Sequence, residues 1–253
     1  MSRSGASTLK GGHGLNGAGE ARAPSLLLWA AEVPRGAWGL ASLLWSQATL
    51  AAGPKGDGRP ILLLPGLVNS DRSNLLMRRY LRRLGYRVEG WGLGRNLGIR
   101  AVGPDAERLV ERVRALHDET GEPVTLIGIS LGGIMARLVA HRVPELVREV
   151  ITISAPFAGP PRATNVWRAF EFLTGDRIDS DHVRAQAAEI AMPLPVPATA
   201  IWSRSDGLVN GLICRAEDPG CRNIEIRSSH LGVQVRPETL RALADVLSGS
   251  APR

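Results

Sequence analysis

The sequence predicts an α/β domain: a mostly parallel sheet of about six strands with helices on both faces. Three observations carry this expectation. From Pro60 onward, short apolar runs alternate with amphipathic stretches. Parallel neighbours need such crossovers, because a hairpin cannot join them. The 253 residues, 44% of them apolar, suffice for one substantial core. In mid-chain, a glycine-flanked turn at Gly128 to Gly132 separates an apolar run from a helix-like stretch.

Residues 1–24 are rich in Gly, Ser and Ala without periodicity, and are expected to be a disordered tail. Residues 25–58 read as a helical arm holding Trp29, Trp38 and Trp45, with Pro34 splitting it into two pieces. The second piece, 37–52, carries no charge. Its helix would span about 24 Å, short of the ~30 Å hydrocarbon core of a bilayer. A helix apolar on nearly all sides must be covered. Trp38 and Trp45, seven residues apart, share one face, and that face is expected to pack against the domain. Weak peripheral membrane contact is the alternative. The apolar run starts far from Met1 and lacks a small-x-small site, so a cytoplasmic location is expected over export.

The catalytic domain is expected over 59–253. Strands are predicted near 60–65, 86–89, 123–128, 148–154, 197–203 and 223–227, and helices near 71–84, 104–119, 131–142 and 236–248. Between 155 and 192 the alternation breaks. Pro156, Gly159, Pro160 and Pro161 interrupt the chain, and short helices follow near 166–174 and 181–191. Either this insertion caps a site, with Trp167 and Phe170 facing a substrate pocket, or it is a plain crossover pair.

The formal charge is +7, carried almost wholly by arginine, since Lys10 and Lys55 are the only lysines. The arginines are scattered, as in Arg78-Arg79 and Arg82-Arg83 on one amphipathic helix, and no nucleic-acid motif accompanies them. No nucleic-acid partner is expected. Cys214 and Cys221 are too few for a disulfide framework and have no zinc pattern, leaving free thiols or one local bridge. With no metal cluster, phosphate loop or flavin fingerprint, no cofactor or metal is expected.

The chemistry is legible at Gly128-Ile129-Ser130-Leu131-Gly132. A nucleophilic serine on a sharp strand-to-helix turn needs small residues two before and two after it. A serine hydroxyl is a weak nucleophile at neutral pH, so a histidine must take its proton and a carboxylate must fix that histidine's tautomer. Asp206 and His230 each follow a short strand, giving the order nucleophile, acid, base. Among the other histidines, His13 lies in the tail, His117 and His141 fall within predicted helices, and His182 begins one. The turn Pro65-Gly66-Leu67 can aim the Leu67 N–H at an oxyanion, with the Leu131 N–H as its partner. Asn96 could touch substrate or stabilise its own turn.

On these residues, with Leu64-Pro65-Gly66-Leu67, Ser205-Asp206-Gly207 and Ser229-His230-Leu231-Gly232, the chain resembles the α/β-hydrolase superfamily over roughly 59–248, in its compact bacterial lipase and esterase branch. The segment from Trp91 to Gly98 is similar to one in a group of bacterial members. The resemblance implies a minimal α/β-hydrolase fold with a short helical cap, and a serine esterase acting on lipophilic acyl esters through an acyl-enzyme. It also makes Asp176, Asp179 and Asp181 rival acids, since some relatives place the acid after the preceding strand. Many relatives carry His-Gly where this chain has Pro65-Gly66; a backbone donor survives that change. Acyl transfer by the same triad, or a non-catalytic membrane-peripheral binder of the same fold, are the competing functions.

Overall fold

The computed structural model describes residues 22–46, Leu50, 53–175 and 177–250. Most of the expected tail, the end of the arm at 47–49 and 51–52, and Asp176 lie outside them.

Six strands form one sheet: β1 Pro60–Leu64, β2 Arg87–Gly90, β3 Val124–Ile129, β4 Val147–Ile153, β5 Ala198–Trp202 and β6 Cys221–Glu225. Their order is β2-β1-β3-β4-β5-β6, and every pairing is parallel. The helices are α1 Leu26–Ala30, α2 Glu32–Trp45, α3 Leu75–Leu84, α4 Ile99–Val102, α5 Glu107–Thr120, α6 Leu131–Arg142, α7 Trp167–Thr174, α8 Asp181–Ala191 and α9 Pro237–Leu247.

Helices cover both faces, as the continuous apolar strands require. Along β1, Ile61 and Leu63 pack with Ile127, Ile151 and Ile201 beneath α3 and α9. Leu62 and Leu64 turn the other way, towards Leu126, Val150 and the inner faces of α5 and α6. Each of these buried side chains stabilises the fold by roughly 1.5–3 kcal/mol. On α3, Arg82 and Arg83 stand exposed in the last turn, where positive charge offsets the helix dipole. They form a solvated face.

β1 and β3 are neighbours although β2 comes between them in sequence. The sheet order therefore reverses there, and the loops after β1 and β3 leave the C-terminal edge side by side. Such a switch point is where open parallel sheets bind ligands.

The arm differs from expectation in two ways. It breaks at Ala31, not at Pro34, which sits in the first turn of α2. There its missing N–H costs nothing, since the first four helical N–H groups have no intrahelical acceptor. The face that docks is also not the tryptophan face. Trp38 is 67% and Trp45 86% exposed, while Glu32, Arg35, Gly36, Gly39 and Leu43 face the domain. The small Gly36 explains this: a Cβ there would meet Leu231 O at 2.8 Å, so backbone approaches backbone where a large side chain would hold the helix off.

The insertion is anchored through a buried arginine. Arg137, on α6 and 1% exposed, donates to Ile190 O at 2.7 Å and Met192 O at 2.6 Å, at the end of α8. Its guanidinium lies 4.0 Å over the Phe157 ring. Burial pulls its pKa down, so the charge is held by the two carbonyls and the ring. Arg137→Met strands both carbonyls, and is expected to cost about 2 kcal/mol. That is a fall of roughly 5 °C in Tm for a chain of this size, readable by calorimetry. An unchanged Tm would contradict the anchor.

Among the described residues, no helix is long and apolar enough to cross a membrane. Cys214 and Cys221 are separate buried thiols, so the local bridge does not form.

Candidate active site

β3 delivers the chain to Ser130 with φ 52 and ψ −119. Residues other than glycine rarely adopt this region, at a cost of about 1–3 kcal/mol. Hydrogen bonds hold it there: Ser130 N donates to Ile153 O at 2.8 Å, and Ser130 O accepts from Gly133 N at 2.9 Å. The flanking glycines make the turn sterically possible. A Cβ on Gly128 would collide with the Gly132 backbone, and one on Gly132 with the carbonyl of Leu64. The Ser130 side chain, at the N-terminus of α6, therefore faces a cavity.

Leu67 follows β1, and the next residue carries a second strained backbone. Val68 sits at φ 57, an outlier for a β-branched side chain. Asn96 holds that loop. Its backbone O accepts from Val68 N at 2.8 Å, its N donates to Asn69 O at 2.8 Å, and its Nδ2 donates to Pro65 O at 2.7 Å. Fully buried, Asn96 lies outside the cavity wall, so it braces the turn and the substrate-contact expectation is corrected. The Leu67 and Leu131 N–H groups have no acceptor among the described residues. Two such donors, beside Ser130, can stabilise an oxyanion.

Asp206, 2% exposed, lies in the loop after β5. Its Oδ1 accepts from Leu208 N and Val209 N, both at 2.9 Å, and its Oδ2 meets His230 Nδ1 at 2.7 Å. Burial pushes the His230 pKa down, but the Asp206 charge, its hydrogen bond and the Glu32 charge outweigh it. The imidazole pKa therefore stands above the ordinary histidine value. The rival Asp179 instead pairs with Arg162 at 2.7 Å, and Asp181 is exposed at the start of α8. No hydrogen bond joins the Ser130 hydroxyl to another described residue.

The cavity, of about 180 Å³, runs between α6 and the insertion. Its wall includes Ile134, Met135 and Leu138 from α6, and Trp167, Phe170 and Ile190 from the insertion. Trp167 and Phe170 line it, whereas Phe172 on the same helix is exposed. With Leu67 and Ser130 also in the wall, a chain of apolar groups leads away from the serine.

One buried group of the site was missed. Glu32, on α2 and 2% exposed, accepts hydrogen bonds from backbone groups of both the Asp206 and the His230 loops. The sequence signal was weak: a lone acid, with Arg35 close by, in an arm otherwise uncharged up to Lys55.

A family model described as the alpha/beta hydrolase fold matches residues 104–191. In three dimensions the chain is similar to lipase B of Aspergillus fumigatus, with TM-score 0.61 and 18% identity. That match covers 77% of this chain and 53% of the other, so the chain spans about half the length of that enzyme. The chain has the α/β-hydrolase fold. The chain is also similar to a lipase of Bacillus licheniformis, with TM-score 0.56, 17% identity and coverage of 78% and 94%. A monoacylglycerol lipase of Paleococcus ferrophilus gives TM-score 0.54, 16% identity and coverage of 77% and 97%. No curated protein sequence matches the chain.

Proposed function

We propose that this α/β hydrolase cleaves carboxylic esters of lipophilic acyl groups, with Ser130 as nucleophile, His230 as base and Asp206 as the acid that orients it. The observation that carries the reading is the strained Ser130, facing an apolar cavity beside two unengaged N–H donors. In this reading His230 takes the hydroxyl proton as Ser130 attacks the ester carbonyl. Leu67 and Leu131 donate to the oxyanion, and His230 returns the proton to the departing alcohol. Water then repeats the sequence on the acyl-enzyme. The lipase names of the similar structures support the class of reaction, and the apolar wall supports an acyl chain as the recognised part.

A fluorophosphonate probe is expected to label the parent at Ser130 and to leave Ser130→Ala unlabelled. Label retained in that variant would overturn the assignment. Because only the neutral imidazole accepts a proton, activity should rise with pH, and the raised His230 pKa moves that rise to higher pH than for an ordinary histidine.

The cavity makes a second prediction. Ala187 lines its wall from α8. Ala187→Trp should shorten the space by about two methylenes, each worth ~0.8 kcal/mol when buried. Then kcat/KM for an octanoyl ester should fall roughly tenfold while the acetyl ester stays within about twofold. Equal losses on both esters would place the acyl chain elsewhere.

A further inference from the structure

We propose that Glu32 is a positioning residue of the active site, whose carboxylate bolts the acid-bearing loop to the base-bearing loop from outside the catalytic sheet. This rests on the triad reading above.

Three backbone N–H groups converge on one side chain. Glu32 Oε1 accepts from Gly207 N at 2.7 Å and from His230 N at 3.0 Å, and Oε2 accepts from Leu231 N at 2.8 Å. Gly207 directly follows the acid, and His230 is the base itself. The bonds bridge 175 to 199 residues of sequence. In a buried place each of these N–H groups needs an acceptor, and an unsatisfied one costs about 1–3 kcal/mol. A single carboxylate supplies all three. It thereby couples two loops that leave separate strands, β5 and β6.

The surroundings show that the arm is fitted to this task. One turn further along α2, Arg35 donates to Ser205 O at 2.6 Å and Ser205 Oγ at 2.8 Å, immediately before the acid. Asp206 is thus held by α2 through both neighbouring residues. The approach is so close that a Cβ on Gly207 would collide with Leu28 O and stand 2.9 Å from Glu32 Oε1. Beyond the loop, Asn210 Nδ2 donates to Arg22 O at 2.7 Å and Asn165 Nδ2 to Pro24 O at 3.1 Å. The arm meets the domain where the acid and base are mounted.

Two consequences follow for the chemistry. The Asp206–His230 hydrogen bond depends on the separation of the two loops, and Glu32 sets that separation. A misplacement of about 1 Å at such a bond can cost ~10²-fold in rate. The Glu32 charge also favours the imidazolium formed when His230 takes a proton. The charged groups around His230 are Asp206 in the loop after β5 and Glu32 and Arg35 on α2, with Arg227 and Arg236 in the cleft beside Ser228 and Ser229. Arg35 is engaged by Ser205, and Arg236 by Glu238.

The test is the rate of fluorophosphonate labelling of Ser130 across a pH range of about 5 to 9, where histidine titrates. Glu32→Gln removes the charge and presents an amide N–H₂ to one of the loop donors. Its labelling is expected to slow by about 10- to 100-fold. Its rising limb should move to lower pH, since loss of a nearby negative charge lowers the His230 pKa. Glu32→Asp keeps the charge but is too short to reach both loops. It should slow labelling with the limb unmoved, and it serves alone if the glutamine variant does not fold. Leu43→Ala loosens the arm where it packs on the core, towards the other end of α2 from Glu32. It should lower Tm with rate and limb unchanged.

Parent and Glu32→Gln curves that superimpose overturn the proposal, as does a slowing that Leu43→Ala matches with no shift of the limb, since Glu32 would then only dock the arm. An unchanged rate in Glu32→Asp overturns it as well. Failure of the triad reading is separate: the parent would not label, or Ser130→Ala would.

Discussion

Asp206→Asn is expected to lower kcat by about 10⁴-fold while leaving the fold intact. The hydrogen bonds around Asp206 explain both halves of that result. Oδ1 accepts from Leu208 N and Val209 N, so the asparagine oxygen is drawn to that side. Its amide group is then left facing His230 Nδ1, which receives a donor where it had an acceptor. The imidazole must respond by accepting at Nδ1 and carrying its proton on Nε2. In that tautomer Nε2 has no lone pair for the Ser130 proton. Shape and volume hardly change, so Tm should move little. Asp179→Asn and Asp181→Asn are the controls. Asp179 pairs with Arg162 across a half-exposed surface, and Asp181 is exposed. Surface pairs of this kind contribute ~0–1 kcal/mol to stability. Each control should leave kcat within about twofold, because neither carboxylate meets His230. Steady-state kinetics on a soluble acyl ester decides the matter. A larger loss at Asp179 or Asp181 than at Asp206 would move the acid to the loops after β4.

The strands and the strained turn at Ser130 were legible because their signals are local. Leu62, Leu64, Leu126 and Val150 alternate with Ile61, Leu63, Ile127 and Ile151 to fill two faces, and a run apolar on both faces reads as a buried parallel strand. Gly128 and Gly132 mark a backbone that only small residues tolerate. Asp206 and His230 could be placed because each follows a strand and ends at the sheet's C-terminal edge.

The arm was misread for a physical reason. Sequence rules reward large apolar residues with burial, which pointed to Trp38 and Trp45, but the contact is made by Gly36, Gly39 and polar groups on the opposite face. Glu32 was invisible for a related reason. All three of its partners are backbone N–H groups, which every residue but proline carries, so nothing in the sequence at 207, 230 or 231 announces them. Asn96 falls between the two cases. A polar residue in a glycine-rich loop indicates a turn, but its bonds to Pro65 and Val68 cross some 30 residues of chain.

Gly132→Ala is the second change expected to have a large effect, and it joins fold to chemistry. Gly132 lies in the first turn of α6, directly behind the end of β1. A Cβ there would collide with Leu64 O and stand 2.7 Å from both Leu64 C and Pro65 O. These are backbone atoms at the C-terminal end of β1 and just beyond it, so no side-chain rotation relieves the contact. Either α6 moves away from β1 or the Pro65-Gly66-Leu67 turn is pushed outward. Overpacking of this kind costs about 1–3 kcal/mol, or roughly 3–10 °C of Tm. The functional loss should be larger. Displacing the turn moves the Leu67 N–H away from Leu131, and loss of one oxyanion donor costs about 10²–10³ in kcat. KM should change little, because the apolar cavity wall formed by α6 and the insertion stays in place. Ser130 should still label with fluorophosphonate, more slowly, since the nucleophile and its base remain. Asn96→Ala approaches the same turn from the opposite side, by removing the bond to Pro65 O. It should reproduce the kcat loss in part, so the two variants together test whether the turn after β1 carries the oxyanion donor. If Gly132→Ala folds with kcat within about threefold of the parent, that donor is not Leu67.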